Sequence, residues 1–321
     1  MSFPLVCVIV LNWNRPNDTI LCVNSLKKLD YPNFNIIVVE NGSIDDSANI
    51  LSRIEGISLI YNQENLGFTG GNNIAIRAAL TKGARYVWLV NSDVIVAPDC
   101  LSKMIDAAEG DPQIGLLSPV IYFTKEPNTP QYCSGFIEYP YYNTLESPDL
   151  PTAQRLQAEN PERVILWGTA LLIRRETIER IGFLDDLFFA YFEDIDYSVR
   201  SINAGFKNMT VFCASIWHDN PMEFGQMKPH FYYYNTRNSI FFVRKQIGHT
   251  TTRLRVFYWI FLRSLRLSKE LHRTPLSADA VLAGLWDGWR GISGSYNATR
   301  RMPSTLRWAV LLFNGILAPS K

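Results

Sequence analysis

Residues 5–11 read LVCVIVL, seven apolar positions in succession. A strand with one wet face alternates apolar and polar residues. A β-branched run without alternation reads as a strand buried on both faces, as at the centre of a parallel sheet. Residues 16–29 follow, with Ile20, Leu21, Val23, Leu26 and Leu29 near helical spacing. Residues 36–39 (IIVV) repeat the buried-strand signal, and 44–54 read as a second helix with Ser43 or Asp45 available to cap it. A third strand at 57–61, a third helix at 72–82 and a fourth strand at 86–90 continue the alternation. This βαβ spacing predicts an α/β domain with a parallel sheet covered by helices. Farther on, 120–165 is rich in Pro, Tyr and Asn and reads as loops and short strands. Residues 166–173 and 208–212 read as strands, 194–203 as a helix, and from about 231 the pattern turns helical and basic.

The net charge of the 321 residues is +1, but it is unevenly placed. Residues 244–321 carry 13 Lys/Arg against 3 Asp/Glu, and residues 1–243 carry 18 against 27. A basic appendage of this kind meets a polyanion or an anionic membrane, or is a solvated helix face. The cysteines Cys7, Cys22, Cys100, Cys133 and Cys213 form no CxxC or Cys/His cluster, which argues against zinc and against a disulfide framework. Without a basic segment before the first apolar run, a signal peptide is not expected. The Asn-x-Thr sequons at Asn208 and Asn297 then carry little weight. No apolar run reaches membrane-spanning length; the longest, 256–262 and 308–318, are too short.

In parallel sheets ligands bind beyond the carboxyl ends of the strands. The residues there are Asn12, Trp13, Asn14 and Arg15, then Glu40, Asn41, Gly42 and Ser43, then Asn91, Ser92 and Asp93. A carboxylate at a strand end suits Mg²⁺ or Mn²⁺ bridging a diphosphate, and an ordinary strand-to-loop Asp fits the same position. The segment 65–73 (NLGFTGGNN) places glycines before a helix, where amides favour a phosphate or where a tight turn is needed. In 188–196 (FFAYFEDID) three acids follow an aromatic run, which suits a general base or a first helical turn facing the helix dipole. Trp217-His218 adds a histidine whose value depends on its partners.

Taken in order, these segments resemble family 2 glycosyltransferases of the GT-A fold. CVIVLNWNR (7–15) resembles the family's opening strand and base-binding loop, and IIVVENGSIDDS (36–47) its "DNGS-D" signature. NLGFTGGNNIAI and YVWLVNSDVIV resemble the Gly-rich loop and the "DxD" strand. The segment 167–206 resembles the acceptor and catalytic segment. Within the family the chain looks most like the rhamnosyltransferase branch, related to galactofuranosyltransferases; FYYYNTRNSIFFVRK (231–245) also resembles that branch.

The resemblance implies a Rossmann-like, mostly parallel sheet flanked by helices over 1–243, and a basic, amphipathic helical region over 244–321. It implies Asp93 and His218 as ligands of Mg²⁺ or Mn²⁺, with Asn91 at the first "DxD" position, where an amide oxygen replaces the usual carboxylate. Asp194 matches the catalytic base, with Glu193 and Asp196 shaping its site. Asn12, Asn14, Arg15, Glu40, Asn41, Gly67, Gly71, Asn72 and Ser92 fall at the nucleotide-sugar positions, and Trp167 and Gly168 in the acceptor-facing stretch. The implied reaction is inverting transfer, by one direct displacement, onto a saccharide or lipid-linked glycan. dTDP-rhamnose is the leading donor and UDP-galactofuranose or another UDP-hexose the runner-up.

In the tail, Arg253, Arg255, Arg263, Arg266 and Lys269 interleave with seven successive apolar residues, Val256 to Leu262, the composition of a helix lying in an anionic membrane interface. The same pattern fits dimerisation, giving a homo-oligomer, or packing on the core. The membrane reading places the protein in the cytoplasm, at the inner face of the cell membrane. No nucleic-acid partner is expected. A nicotinamide dehydrogenase is disfavoured because residues 12–17 contain no glycine for a pyrophosphate. A nucleotidylyltransferase is disfavoured by the lack of a basic, Gly-rich loop in the same place. A non-catalytic nucleotide- or carbohydrate-binding module is the remaining rival, and it would have no need of Asp194.

Overall fold

A computed structural model describes residues 3–147, 149–218, 227–303 and 305. The apolar run at 308–318 lies outside the described residues. The chain forms two compact units, one from 1–138, 143–186 and 193–220, the other from 139–142, 187–192 and 221–321.

The first unit begins β1 (Val6–Asn12), α1 (Pro16–Leu26), β2 (Phe34–Asn41), α2 (Ser47–Leu51), β3 (Ser58–Asn62), α3 (Gly67–Thr81) and β4 (Tyr86–Asn91). It continues with β5 (Val94–Val96), α4 (Cys100–Gly110), β6 (Ile114–Phe123), β7 (Pro130–Tyr132), β8 (Gly135–Glu138), β9 (Asn143–Glu146), α5 (Leu150–Glu159) and β10 (Val164–Ile165). β11 (Ala170–Arg174), α6 (Arg175–Ile181), α7 (Glu193–Asn203) and β12 (Lys207–His218) complete it. The main sheet runs β3-β2-β1-β4-β11-β6-β12-β5, with β7 on β6. The first four strands are parallel, β11 is antiparallel to both neighbours, and β12 is parallel to β6. A smaller antiparallel sheet orders β10-β8-β9.

The unbroken apolar run of β1 has the expected cause. Val6, Val8 and Val10 enter one core with Cys22, Val23 and Leu26 of α1. Cys7 and Ile9 enter another with Ala75, Ile76 and Ala79 of α3. β2 and β4 divide between the two cores in the same way.

Three expectations about elements are corrected. α2 is five residues long instead of spanning 44–54. The Ile44 N–H donates to Asn14 Oδ1, which holds that backbone outside a helix, and Asp45 Oδ1 caps Ser47 N–H. α3 starts at Gly67, five residues before the expected 72, so the glycines lie in the helix and not in a loop ahead of it. Gly67 takes φ +75 at the first position, and a Cβ on Gly71 would stand 2.5 Å from Leu11 Cδ1. Gly71 is therefore a close-packing residue between α3 and β1. Gly71→Ala is expected to destabilise the protein by about 1–3 kcal/mol. A denaturant midpoint equal to wild type would show that Leu11 yields freely. Third, residues 120–165 contain a helix, α5, that was read as loop; Asp149 Oδ1 caps it through the Thr152 N–H.

The second unit contains α8 (Pro229–Gln246), α9 (Thr250–Glu270) and α10 (Pro275–Arg290) around Tyr232, Tyr233, Leu265, Val281 and Leu282. α8 runs across position 243/244, where the sequence suggested a domain boundary. α9 turns Val256, Ser264, Leu265 and Ser268 inward. Leu254, Arg255, Tyr258, Trp259, Phe261, Arg263, Arg266 and Lys269 are exposed.

Candidate active site

The strand ends of the first unit converge on Asp93, which sits in the tight turn between β4 and β5. The register of β5 against β12 pairs Val94 with His218, so the histidine arrives beside the aspartate. Asp93 Oδ1 lies 3.3 Å from His218 Nε2, and Asp93 Oδ2 lies 3.3 Å from Arg15 Nη1. Gln131 Oε1, an acceptor only, is 2.9 Å from His218 Nδ1. A proton therefore belongs on Nδ1, and Nε2 is the ring atom that faces the carboxylate. Two electron-rich atoms at that distance repel unless a proton or a cation lies between them. Burial raises the proton affinity of Asp93, but the hydrogen bond and charge of His218 and the charge of Arg15 outweigh it and hold the carboxyl below its usual range. An imidazole nitrogen and a carboxylate oxygen aimed at one point are ligand types that Mn²⁺ and Mg²⁺ accept, so these residues fit a divalent ion. Among the described residues no group of three His, Cys, Asp or Glu comes together as a complete metal cage.

The second centre is Asp194, in the first turn of α7. Its Oδ2 accepts from the Gly168 N–H (2.9 Å) and its Oδ1 from the Ile195 N–H (2.8 Å). The neighbouring Thr169 carbonyl accepts from the Asn91 N–H (2.9 Å), which ties this centre to the end of β4 that leads to Asp93. Burial pushes the proton affinity of Asp194 up, and its backbone donors partly offset this. Glu193 is buried, has no hydrogen-bond partner for Oε2 among the described residues, and is pushed well above the carboxylate range by burial first and by the charge of Asp194 second. Of the two acids, the unpartnered Glu193 is the one that its surroundings favour as protonated, and Asp194, with two N–H donors, is the one they favour as charged. Trp167 stacks on Tyr132 with ring centroids 4.3 Å apart. The proton affinity of Glu146 is raised by desolvation and by Asp194.

The other sequence-selected residues divide between the site and its scaffold. Asp196 adds a third acid whose charge acts on Glu193. It is fully buried, and its Oδ2 accepts from Arg200 Nε at 2.8 Å within α7. Asn41 uses all four of its amide hydrogen bonds within the protein, to Asn62, Asn65, Leu66 and Gly67, which pins β2 to the start of α3. Asn72 donates to Phe68 O within α3. Asn12 accepts from Thr19 and donates to Ser43. Asn14, at φ +54, bonds the same loop through the Ser43 hydroxyl. Glu40 is buried and accepts from the Ser43 N–H (2.8 Å). These residues hold the loops that follow β1 and β2 together. Ser92 lies in the turn before Asp93. Gln131 and Glu146 went unread because they stand in a Pro- and Tyr-rich stretch without periodicity, and only tertiary contacts reveal them.

The family model described as Glycosyl transferase family 2 matches residues 7–182. The N-acetylglucosaminyl-diphospho-decaprenol L-rhamnosyltransferase of Mycobacterium tuberculosis is 27% identical over 259 residues, covering 74% of this chain and 82% of that protein. The dTDP-rhamnosyl transferase RfbF of Shigella flexneri is 21% identical over 285 residues, covering 85% and 93%. Among solved structures, the mannosyltransferase PcManGT from Pyrobaculum calidifontis, in complex with GDP-Man and Mn²⁺, superposes with a TM-score of 0.59 at 18% identity, covering 100% of this chain and 82% of that one. This last likeness is one of fold, and it agrees with the GT-A expectation.

Proposed function

The chain belongs to glycosyl transferase family 2, and from that premise we propose that it is an inverting, metal-assisted transferase that moves L-rhamnose from dTDP-rhamnose onto a saccharide or lipid-linked glycan acceptor. The observation that carries the reading is the Asp194 carboxyl, held by the Gly168 and Ile195 amides next to the strand end that leads to Asp93 and His218. Rhamnosyl transfer in the names of two relatives supports the donor.

In this mechanism Asp194 accepts the proton of the acceptor hydroxyl as that oxygen attacks the anomeric carbon. Glu193, kept neutral, leaves the negative charge localised on Asp194. Trp167, stacked on Tyr132, offers an apolar platform for a sugar ring. Asp93 and His218 would hold Mg²⁺ or Mn²⁺, with Asn91 supplying a further oxygen, and the ion when bound would stabilise the negative charge of the departing nucleoside diphosphate. Arg15, now paired with Asp93, is the side-chain cation available to that diphosphate. Nucleoside-diphosphate release from a panel of dTDP- and UDP-sugars, with acceptor and with Mg²⁺, Mn²⁺ or EDTA, tests the reading. Metal-dependent release from dTDP-rhamnose is expected; release from UDP-galactofuranose alone would replace the donor.

We further propose that the second unit meets an anionic membrane surface, at the inner face of the cell membrane. No helix of the described residues is long and apolar enough to cross a membrane. The exposed face of α9 instead combines aromatic and leucine side chains with arginines, the combination that lies in a lipid interface. Wild type is expected to float with phosphatidylglycerol vesicles and not with phosphatidylcholine. A Leu254→Ser/Tyr258→Ser/Phe261→Ser variant should float at least about tenfold less, since each lost apolar anchor weakens insertion. Equal flotation of both proteins rejects the membrane role.

A further inference from the structure

The segment 231–245 resembles the rhamnosyltransferase branch, yet none of its residues enters the mechanism above. Its two most buried polar residues are Arg237 and Asn238 of α8, both with no exposed surface. Arg237 Nη2 donates to Phe188 O (2.8 Å), Nη1 to Gly294 O (2.6 Å) and Nε to Asn238 Oδ1 (2.9 Å). Asn238 Nδ2 lies within hydrogen-bond distance of Phe188 O (2.9 Å), Ala190 O (2.7 Å) and Tyr191 O (2.7 Å). Burying a guanidinium is unfavourable unless its N–H groups find acceptors, and here those acceptors are backbone carbonyls and a side-chain amide. The rings of Tyr233, Tyr234 and Phe241 surround it, at 5.0–5.4 Å from centroid to guanidinium carbon.

The backbone that these groups grip is unusual. Phe189, Tyr191 and Phe192 take φ of +64, +67 and +74, left-handed values that bulky side chains disfavour. The Ala190 N–H donates to Phe188 O (2.8 Å), which closes a tight turn over the left-handed Phe189. Phe188 O thus receives three donors. Such a conformation persists only where its surroundings over-determine it. The chain then passes from Phe192 directly into Glu193 and Asp194.

We propose that Arg237 and Asn238 are positioning residues for Asp194: they hold 188–192 in left-handed turns and so set the path on which the chain enters the first turn of α7. The inference rests on the reading of Asp194 as the base.

Asn238→Ala removes the donor to three carbonyls. It is expected to lower kcat at least about 30-fold while leaving donor affinity within about threefold. A second substitution separates positioning from loss of fold. Tyr191→Gly admits a positive φ without strain and should recover at least about tenfold of the lost kcat in the Asn238→Ala background. Hydrogen exchange supplies a readout that needs no activity. The Gly168 and Ile195 amides bond Asp194, and both should exchange faster in Asn238→Ala, with Tyr191→Gly restoring them. Faster exchange at these amides in a protein with no transferase activity would keep the positioning role and sink the reading of function. Normal exchange there, or a kcat loss that glycine cannot rescue, overturns the positioning role even if the enzyme is a transferase.

Discussion

Asp194→Asn is expected to lower sugar transfer by at least about 10³-fold, at the upper part of what a positioned base contributes, while nucleotide-sugar affinity stays within about threefold of wild type. The amide nearly matches the carboxylate in shape and keeps an oxygen for one of its two N–H donors, Gly168 or Ile195, while its NH2 replaces the acceptor of the other, so the loss is one local hydrogen bond and the fold should survive. It has no lone pair basic enough to take the acceptor proton. Parallel loss of donor affinity, measured by calorimetry, would instead make Asp194 a structural residue. The pH profile gives a second check. A base works ionised, and burial lifts the proton affinity of Asp194 above an ordinary aspartate. The rate should therefore fall with decreasing pH through a midpoint higher than that of a solvated carboxylate, with unit slope. The partner Glu193 binds its proton more tightly still and stays neutral through that window.

The next largest effect belongs to Asp93. Asp93→Ala is expected to reduce transfer on the order of 10²–10³-fold, the loss typical of removing one electrostatic stabiliser of a leaving group. It should also shift metal activation to higher Mn²⁺ or Mg²⁺ concentration and weaken the donor. The substitution leaves His218 Nε2 without its carboxylate and frees Arg15 from its ion pair with Asp93. His218→Ala should act in the same direction, since both side chains point at one position. A titration in which metal dependence is identical to wild type would remove both residues from the ligand set.

Much of the first unit was legible because its signals are local. The run at 5–11 lacks alternation because its odd and even residues enter different cores, and burial on two faces leaves that mark in any sequence. Asp93 and Asp194 were legible as acids at a strand end and in a first helical turn. The glycines of 65–73 were misread for a physical reason. Glycine marks a turn more often than a helix interior, and only the approach of Leu11 to Gly71 shows why a helix tolerates them. The pairing of Asp196 was not legible, because a run of acids does not disclose which of them has an arginine four residues on that folds back and pairs with it.

By itself the sequence determined the strand–helix alternation, the polar strand ends, the order of motifs and the basic character of the last third of the chain. These follow from periodicity, composition and spacing, which act over a few residues. Only the tertiary structure decided which polar residues meet. The register of β5 on β12 brings His218 to Asp93, and Gln131 selects the tautomer that aims Nε2 at the carboxylate. The amide of Asn41 bonds residues 21–26 positions farther along the chain, and burial raises the proton affinities of the adjacent acids Glu193 and Asp194 to different extents. Hydrogen bonds and proton affinities depend on partners far away in the chain, and those distances exist only once the sheet has formed.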